Sequence, residues 1–461
     1  MKKILLSTWW VLGAILLFSG CSSSDDQPDI PEIPVRIVVP QTLTVPQEGG
    51  WQTLSVACDG AWEVRTDADW ITLTPQRGHG DGEVTVTAQA SDEILGREAA
   101  VRFRAGTTEA ETLVVQPARE PVRIDGAGAA NCYLLAPDQG KAVRAFDATR
   151  KGNTAEPTEI AGVRIVWQSR PELLRRIAYD PKSGLIGVVT GSEAGNAVVA
   201  AVDAGGAIRW SWHLWVTDYD PEQTVFASPA NAGGSVWHFM DRNLGALDAR
   251  PGSIGAVGLI YQWGRKDPFP GIGSFAGGEP LRYDANGQEI LTTVSEQAEQ
   301  FGTLELSVAN PDVFYKISYK TNDWTSPSDD DLWGGVSRTK TMWDPCPAGW
   351  RVPLCDEQGL SPYGFMTEGG ASWSASSRGY VYRNWWVPCT GTRVYESGVL
   401  SADVNGPYGG MWIGTAGSAN PDLETYPALY GQYLFVIDSE MLFGTKKDAR
   451  SQGMALRCVK E

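Results

Sequence analysis

The sequence predicts a mainly β, multidomain protein, and three observations carry that prediction. Apolar and polar residues alternate with a period of two in short bursts such as Thr53-Leu54-Ser55-Val56 and Val84-Thr85-Val86-Thr87, the pattern of half-buried strands. The chain's 52 Gly and 28 Pro suit short strands joined by tight turns. Long helical stretches are scarce, and 461 residues leave room for about three domains of ~150 residues each.

Residues 36–118 carry eight such bursts, from Ile37-Val38-Val39 to Thr112-Leu113-Val114-Val115, which predicts an immunoglobulin-like β-sandwich. Gly49-Gly50 and Arg77-Gly78-His79-Gly80-Asp81-Gly82 supply the positive φ that tight turns need. Trp62 and Trp70 lie inside alternating strands, which assigns both to the core. A second β domain, 123–228, is built of runs such as Asn196-Ala197-Val198-Val199-Ala200-Ala201-Val202 and ends in Ile208-Arg209-Trp210-Ser211-Trp212-His213-Leu214-Trp215-Val216. Strand parity puts Trp210 and Trp212 on one face, with His213 and Trp215 opposite. Two readings stay open for that pair: a platform for sugar rings, or burial within a continuous apolar strand. Residues 234–461 form the last domain. Its stretch from Gly271 to Asp344 is rich in Gly, Asp and Ser with only short apolar runs, and connections of that length are functional or disordered.

The N-terminus is an address. Met1-Lys2-Lys3 leads into an apolar run from Ile4 to Phe18, then Ser19-Gly20-Cys21 and Ser22-Ser23-Ser24-Asp25-Asp26. A positive start, an apolar stretch and small residues before a cut make an export signal. The cysteine directly after Ser-Gly makes residues 1–20 resemble a bacterial lipoprotein signal, in which the Cys21 thiol receives the diacylglyceryl group; Phe18 stands where such signals usually carry leucine. The acidic residues that follow resemble the surface-export signal of Bacteroidetes lipoproteins, which implies an outer-membrane lipoprotein at the cell surface. Residues 21–35 read as a flexible acidic, Pro-containing tether. No later run approaches the ~20 apolar residues of a membrane span, so the membrane is reached through N-terminal lipid only. The formal charge of −17 becomes more negative when Lys2 and Lys3 leave with the signal, and it repels nucleic acid.

Two further resemblances cover most of the remaining chain. Trp62, then Trp70-Ile71-Thr72-Leu73-Thr74-Pro75, a glycine-rich turn, Arg97 opening a strand and a terminal Val115-Gln116 resemble the Bacteroidetes-associated carbohydrate-binding domain that is often N-terminal (BACON). That resemblance implies sugar binding or a spacer. Four ordered motifs resemble the Fibrobacter succinogenes major paralogous domain of Bacteroidetes surface lipoproteins. They are Phe239-Met240-Asp241-Arg242-Asn243-Leu244-Gly245-Ala246, Gly258 to Pro270 around Tyr261-Gln262-Trp263-Gly264, Asp344-Pro345-Cys346-Pro347-Ala348-Gly349-Trp350-Arg351-Val352-Pro353, and Ala455-Leu456-Arg457-Cys458-Val459-Lys460. This implies a C-terminal α+β, C-type-lectin-like domain with long loops.

Besides Cys21, six cysteines remain, an even number in a disulfide-permissive compartment. The lectin-like resemblance implies Cys346 with Cys458, leaving Cys355 with Cys389; the other two connectivities stay open. Cys58 and Cys132 read as buried thiols. The sequence carries no nucleophile elbow, His-Glu-x-x-His, phosphate loop or paired Cys-x-x-Cys, and no cofactor is expected. His79, His213 and His238 are read as structural. Asp329, Asp330 and Asp331, after Ser328, are a calcium candidate or a solvated acidic turn. The sugar-coordinating tripeptides of calcium-dependent lectins are missing from the C-terminal domain.

Ten of the 19 Trp fall in the last domain. Trp324 and Trp333 sit in polar sequence, and Trp385-Trp386 follow a Ser-Ser-Arg-Gly turn, with at least one of that pair expected to be exposed. Exposed tryptophans on loops call for a partner, so these four, with Trp210 and Trp212, are the ligand-binding candidates, packing being the alternative. The expected function is a surface-exposed lipoprotein acting in glycan binding or adhesion, as a candidate fimbrial tip or polysaccharide-capture component. Its expected partners are a glycan or a host or cell-surface protein, and fimbrial or outer-membrane complexes. The alternatives are a secreted carbohydrate-active enzyme, which requires two carboxylates about 5–10 Å apart in a cleft, and a structural envelope protein.

Overall fold

The computed structural model describes residues 34–295, 302–316, 321–368, 370–403, 407–417, 429–438, 441–442 and 447–461. The expected signal, Cys21 and nearly all of the expected tether lie outside the described residues. Strands take 42% of the described residues and helices 4%, so the fold is mainly β, as the alternating bursts predict. No helix among the described residues is long and apolar enough to cross a membrane. The chain packs as two compact units. One runs through Gln89 and resumes at Glu98–Val115; the other holds Ala90–Arg97 and everything from Gln116 to Glu461.

The first unit is a sandwich of two sheets. One orders its strands Ile37–Val38, Gly50–Cys58, Gly82–Ala88, Ile71–Thr74; the other Thr42–Thr44, Thr108–Gln116, Arg97–Ala105, Ala61–Arg65, Arg77–His79. Alternation is the cause: Leu54, Val56, Val84, Val86 and Leu73 point inward to meet Trp62, Val64 and Phe103, while the residues between them face outward. Trp62 and Trp70 are buried, and the turn glycines make room for the first of them. Trp62 Nε1 donates to the Gly80 carbonyl at 2.9 Å, and a Cβ on Gly78 would come within 2.2 Å of the indole.

The second unit begins with two sheets facing each other. Val122–Arg123, Arg144–Asp147, Leu185–Thr190 and Leu174–Asp180 form one; Cys132–Leu135, Ile208–Val216, Gly195–Val202, Gly162–Gln168, Arg282–Tyr283 and Glu289–Ile290 form the other. Tyr133, Phe146, Ile186, Val199, Trp210 and Trp212 fill the space between. The last two strands of the second sheet come from the Gly-rich stretch after Gly271, through the pairing of Tyr283 with Gln168. Farther along, a nine-stranded sheet runs through Leu259–Gln262, Gly453–Ala455, Tyr408–Gly417 and Tyr430–Ile437. Two short helices are set among long connections: Leu304–Ala309, which packs against the strand Ile208–Val216, and Phe365–Glu368.

Cys346 and Cys458 are bonded across 112 residues of chain, which agrees with the lectin-like resemblance. Cys355 and Cys389 are not: each is a separate buried thiol, as are Cys58 and Cys132, and this corrects the expected second bridge. The Cys355 thiol donates to Gln432 Oε1 at 3.4 Å. Burial pushes it up, and pushes Cys389 up to about 12, so both are inert fillers of an aromatic core that includes Phe239 and Trp385.

Joining Cys346 to Cys458 removes a large loop from the unfolded ensemble. Cys346→Ala with Cys458→Ala is therefore expected to lose about 4–5 kcal/mol in the chain-entropy account, read as a lower unfolding midpoint in denaturant under oxidising conditions. An unchanged midpoint would contradict it.

Candidate functional site

The aromatic candidates from the sequence are brought into cores rather than onto a surface. Trp385 stacks on Phe226 with ring centroids 4.9 Å apart and meets Phe239 and Phe365, while the Arg457 guanidinium lies 4.6 Å from its ring. Trp386, on the opposite face of the strand, is also buried, its indole closely overlying Gly379 of the neighbouring strand. Neither is exposed, because both faces of this short strand are covered. Trp324 donates its indole N–H to the Trp263 carbonyl at 2.7 Å and packs on Tyr315. Trp333 packs on Trp263. Both sit in polar sequence, yet both are buried anchors that fasten that sequence to the sheet.

Trp210 and Trp212 do share a face, as parity requires, but the face is the core between two sheets. Trp212 meets Phe146 edge-on at 5.4 Å, and Trp210 Nε1 donates to Asn131 Oδ1 at 3.0 Å. The six candidates thus offer no face to a ligand.

The acidic run is likewise engaged by the protein itself. Asp331 Oδ1 accepts the backbone N–H groups of Val336 and Ser337, at 2.9 and 2.7 Å, and these bonds hold its carboxyl below the usual range. Asp330 pairs with Arg450, and Asp329 accepts from the Asp331 backbone. Among the described residues, no three His, Cys, Asp or Glu side chains gather as a metal site.

One buried group has the composition of a nucleophile and base. Lys266 Nζ donates to Ser211 Oγ and, at 2.8 Å, to Asp267 Oδ1, and Ser211 Oγ donates to the same carboxylate at 2.6 Å. A serine beside a lysine can act in acyl transfer. Here burial closes off that use: the lysine side chain is wholly enclosed, 4.4 Å from the Trp210 ring, and burial lowers its proton affinity against the pull of Asp267. The cluster clasps two stretches of chain together.

The first unit holds a residue that the sequence reading passed over. Trp51 is 68% exposed, and among the described residues it is the one tryptophan in the exposed class. It begins the outward-facing set of Gly50–Cys58, in phase with Thr53 and Ser55 and out of phase with buried Leu54 and Val56. Across the sheet it stands opposite Thr87, with Thr85 opposite Thr53, and those two in turn face Thr72 and Thr74. The result is an indole at the margin of a hydroxyl-lined face. Parity with Thr53 and Ser55 was the available signal.

Residues 35–118 match the family described as the viral BACON domain, in line with the resemblance of that segment. No curated protein matches the chain. Among solved structures, a Bacteroides ovatus GH5 xyloglucanase in complex with a XXXG heptasaccharide is 23% identical, over 23% of this chain and 22% of that one, with a TM-score of 0.18. A protein from Bacteroides thetaiotaomicron, solved by NMR, is 25% identical over 22% of this chain and 99% of its own, with a TM-score of 0.15. Domains 4 and 5 of the S-layer protein SbsC are 22% identical over 18% and 51%, with a TM-score of 0.15. The chain thus spans about a fifth of the xyloglucanase and half of the S-layer fragment.

His213 lies on the face opposite Trp210 and is buried, with Nε2 2.9 Å from Asn196 Oδ1 and Nδ1 without a partner. Burial drives it from its ordinary 6.5 down to about 3. The unfolded chain therefore takes up a proton near pH 6.5 that the folded chain refuses, so its stabilising contribution is full above that pH and is lost as pH falls toward 3. At ~1.4 kcal/mol per pH unit, about 2–3 kcal/mol should go between pH 6.5 and 4.5. His213→Gln is expected to flatten the stability–pH curve of the wild type by that amount over this window. Equal slopes for the two proteins would refute the assignment. Asp323 and Asp448, which burial raises to about 6, act in the opposite sense but are common to both.

Proposed function

We propose that the protein is a glycan-binding lipoprotein of the cell surface, held to the outer membrane by lipid on Cys21, with its sandwich contacting sugar through the Trp51 face. The observation that carries this reading is the exposed Trp51 indole beside Thr53, Ser55, Thr85 and Thr87 on a segment that matches a BACON family. An aromatic ring accepts the C–H face of a pyranose as it accepts other apolar groups, and neighbouring hydroxyls both donate and accept, as sugar hydroxyls do. The likeness of the C-terminal motifs to a domain of surface lipoproteins, and the Ser-Gly-Cys21 junction, support the location.

On a glycan array, the full chain is expected to retain a defined set of neutral sugars. Trp51→Ala should weaken each by about ten-fold or more, the equivalent of ~1.4 kcal/mol, with no change in melting temperature because the ring is exposed. Retention of every sugar by Trp51→Ala, or of none by the wild type, would count against the sandwich as the reader. Separately, Cys21→Ser is expected to abolish incorporation of a fatty-acid label and to move the protein out of the outer-membrane fraction. Continued labelling would exclude Cys21 as the anchor.

A further inference from the structure

The second unit contains a cleft of about 620 Å3 whose wall includes Arg282, Trp167 and Glu279. Arg282 is 1% exposed, and neither of its terminal nitrogens has a hydrogen-bond partner. That sets it apart from the other fully buried arginines. Arg265 donates to Gln262 and three backbone carbonyls; Arg393 to Glu279 and Gly398; Arg450 to Asp323, Asp330 and Tyr430; Arg457 to Asn243 and Trp386. An unpaired buried guanidinium is strongly destabilising. A protein that gives four such guanidinium groups hydrogen-bond partners and leaves both terminal nitrogens of a fifth without one, on the wall of a cleft, has a reason located in the cleft.

Geometry gives that reason a chemistry. Arg282 is set by the strand Arg282–Tyr283, which pairs with Gly162–Gln168 through Tyr283 and Gln168 and is pinned further by Gln168 Nε2 donating to the Asp284 carbonyl at 3.1 Å. Its guanidinium carbon lies 5.7 Å from the centroid of the Trp167 ring, and Trp167 Nε1 is a second buried donor without a partner. Glu279, the carboxylate on the wall, is already taken by Arg393 in a two-point pair at 2.5 and 2.8 Å. Asp312 and Glu279 favour the charge on Arg282 through space, but burial outweighs them and pulls the group down to about 10. Unmet donors with no acceptor of their own match an acceptor-only ligand. The planar fork of a guanidinium is the partner of a carboxylate's two oxygens. The cleft falls in the range of ~300–1,000 Å3 of small-ligand sites, and Ser169 on its wall brings a hydroxyl that can meet another hydroxyl.

We propose that this cleft binds the carboxylate of an acidic sugar, a hexuronate unit of a glycan, with Arg282 as the two-point donor and the Trp167 indole N–H as the second. The carboxylate follows from the donors; the choice of sugar over other small acids rests on the glycan reading above.

The test is calorimetric titration of the full chain with the methyl glycosides of glucuronate and galacturonate, against those of glucose and galactose and against acetate. At least one uronoside should bind about ten-fold or more tightly than its neutral counterpart and than acetate. Arg282→Met should abolish that preference while holding or raising the melting temperature, since it removes an unpaired buried charge. Arg282→Lys, which keeps the charge but not the fork, should weaken the uronoside and serves where the methionine variant does not fold. The proposal fails if no uronoside binds at millimolar concentration, if the neutral sugar or acetate binds as well, if Arg282→Met keeps the preference, or if that variant folds with a lowered melting temperature. Trp51→Ala should leave uronoside binding unchanged, so loss of the Trp51 reading and loss of this one are told apart.

Discussion

Trp263 is the contact on which the second unit's long connections depend. Its indole N–H donates to the Ile413 carbonyl at 2.9 Å and its own carbonyl accepts the Trp324 indole at 2.7 Å. Its ring packs against Trp333 and beneath the Arg450 guanidinium, 4.2 Å from the centroid. Arg450 in turn holds Asp323 and Asp330, on either side of Trp324 in sequence. One side chain thus ties a sheet strand to an irregular, polar stretch that has no periodic apolar face of its own. Gly431 is part of the same arrangement, since a Cβ there would lie 2.5 Å from the Trp263 ring. Irregular chain can be ordered when a few large apolar side chains are buried; Trp324 does this with its indole N–H satisfied, and Trp333 by ring packing alone.

That arrangement explains what the sequence could and could not disclose. Strand parity is a local property, and where the chain alternates it located buried and outward residues correctly: Trp62 and Trp70 in the sandwich core, and Trp210 with Trp212 on one face. It could also have found Trp51. The cover over a residue is not local. Trp210 is capped by Asn131, 79 positions away, and Trp324 by Trp263, 61 positions away, so polar neighbours in sequence gave a false sign of exposure at Trp324 and Trp333. At Trp385 and Trp386 the parity was right, with the two indoles on opposite faces, but both faces are covered. The Cys346–Cys458 bridge was legible only through the lectin-like resemblance. The same resemblance left Cys355 and Cys389 as a pair by subtraction, and subtraction carries no geometric information.

Charge is handled by a consistent rule in the second unit. Lys266 and Asp267 are enclosed together with Ser211, Arg450 with Asp323, and Arg457 with Asn243 and a carbonyl. Burial removes water from each group, and the lost hydration is made good by a partner of fixed geometry. Clasps of this kind are poor evidence of net stability, because apolar replacements of equal volume can be as stable. Their effect is to specify which stretches meet, since a misregistered chain would leave a charge unmatched.

Against that rule, two unmatched groups that lie at an open face or on the wall of a cleft gain meaning. Trp51 exposes an indole in a chain that buries its other tryptophans wholly or in part among the described residues, and Arg282 leaves terminal donors empty where its buried counterparts fill theirs. Neither follows from a shortage of local solutions: Thr53 and Ser55 show what an outward position on that strand ordinarily carries, and Arg393 shows that Glu279 can be captured within the same wall. Departures from a protein's own packing and pairing rules concentrate at functional positions, where a partner outside the chain completes the contact. On the reading proposed for both sites, an indole that accepts a C–H face and a guanidinium that holds two oxygens are complementary to different parts of one class of molecule, the acidic polysaccharide, whose rings present the first and whose uronates present the second.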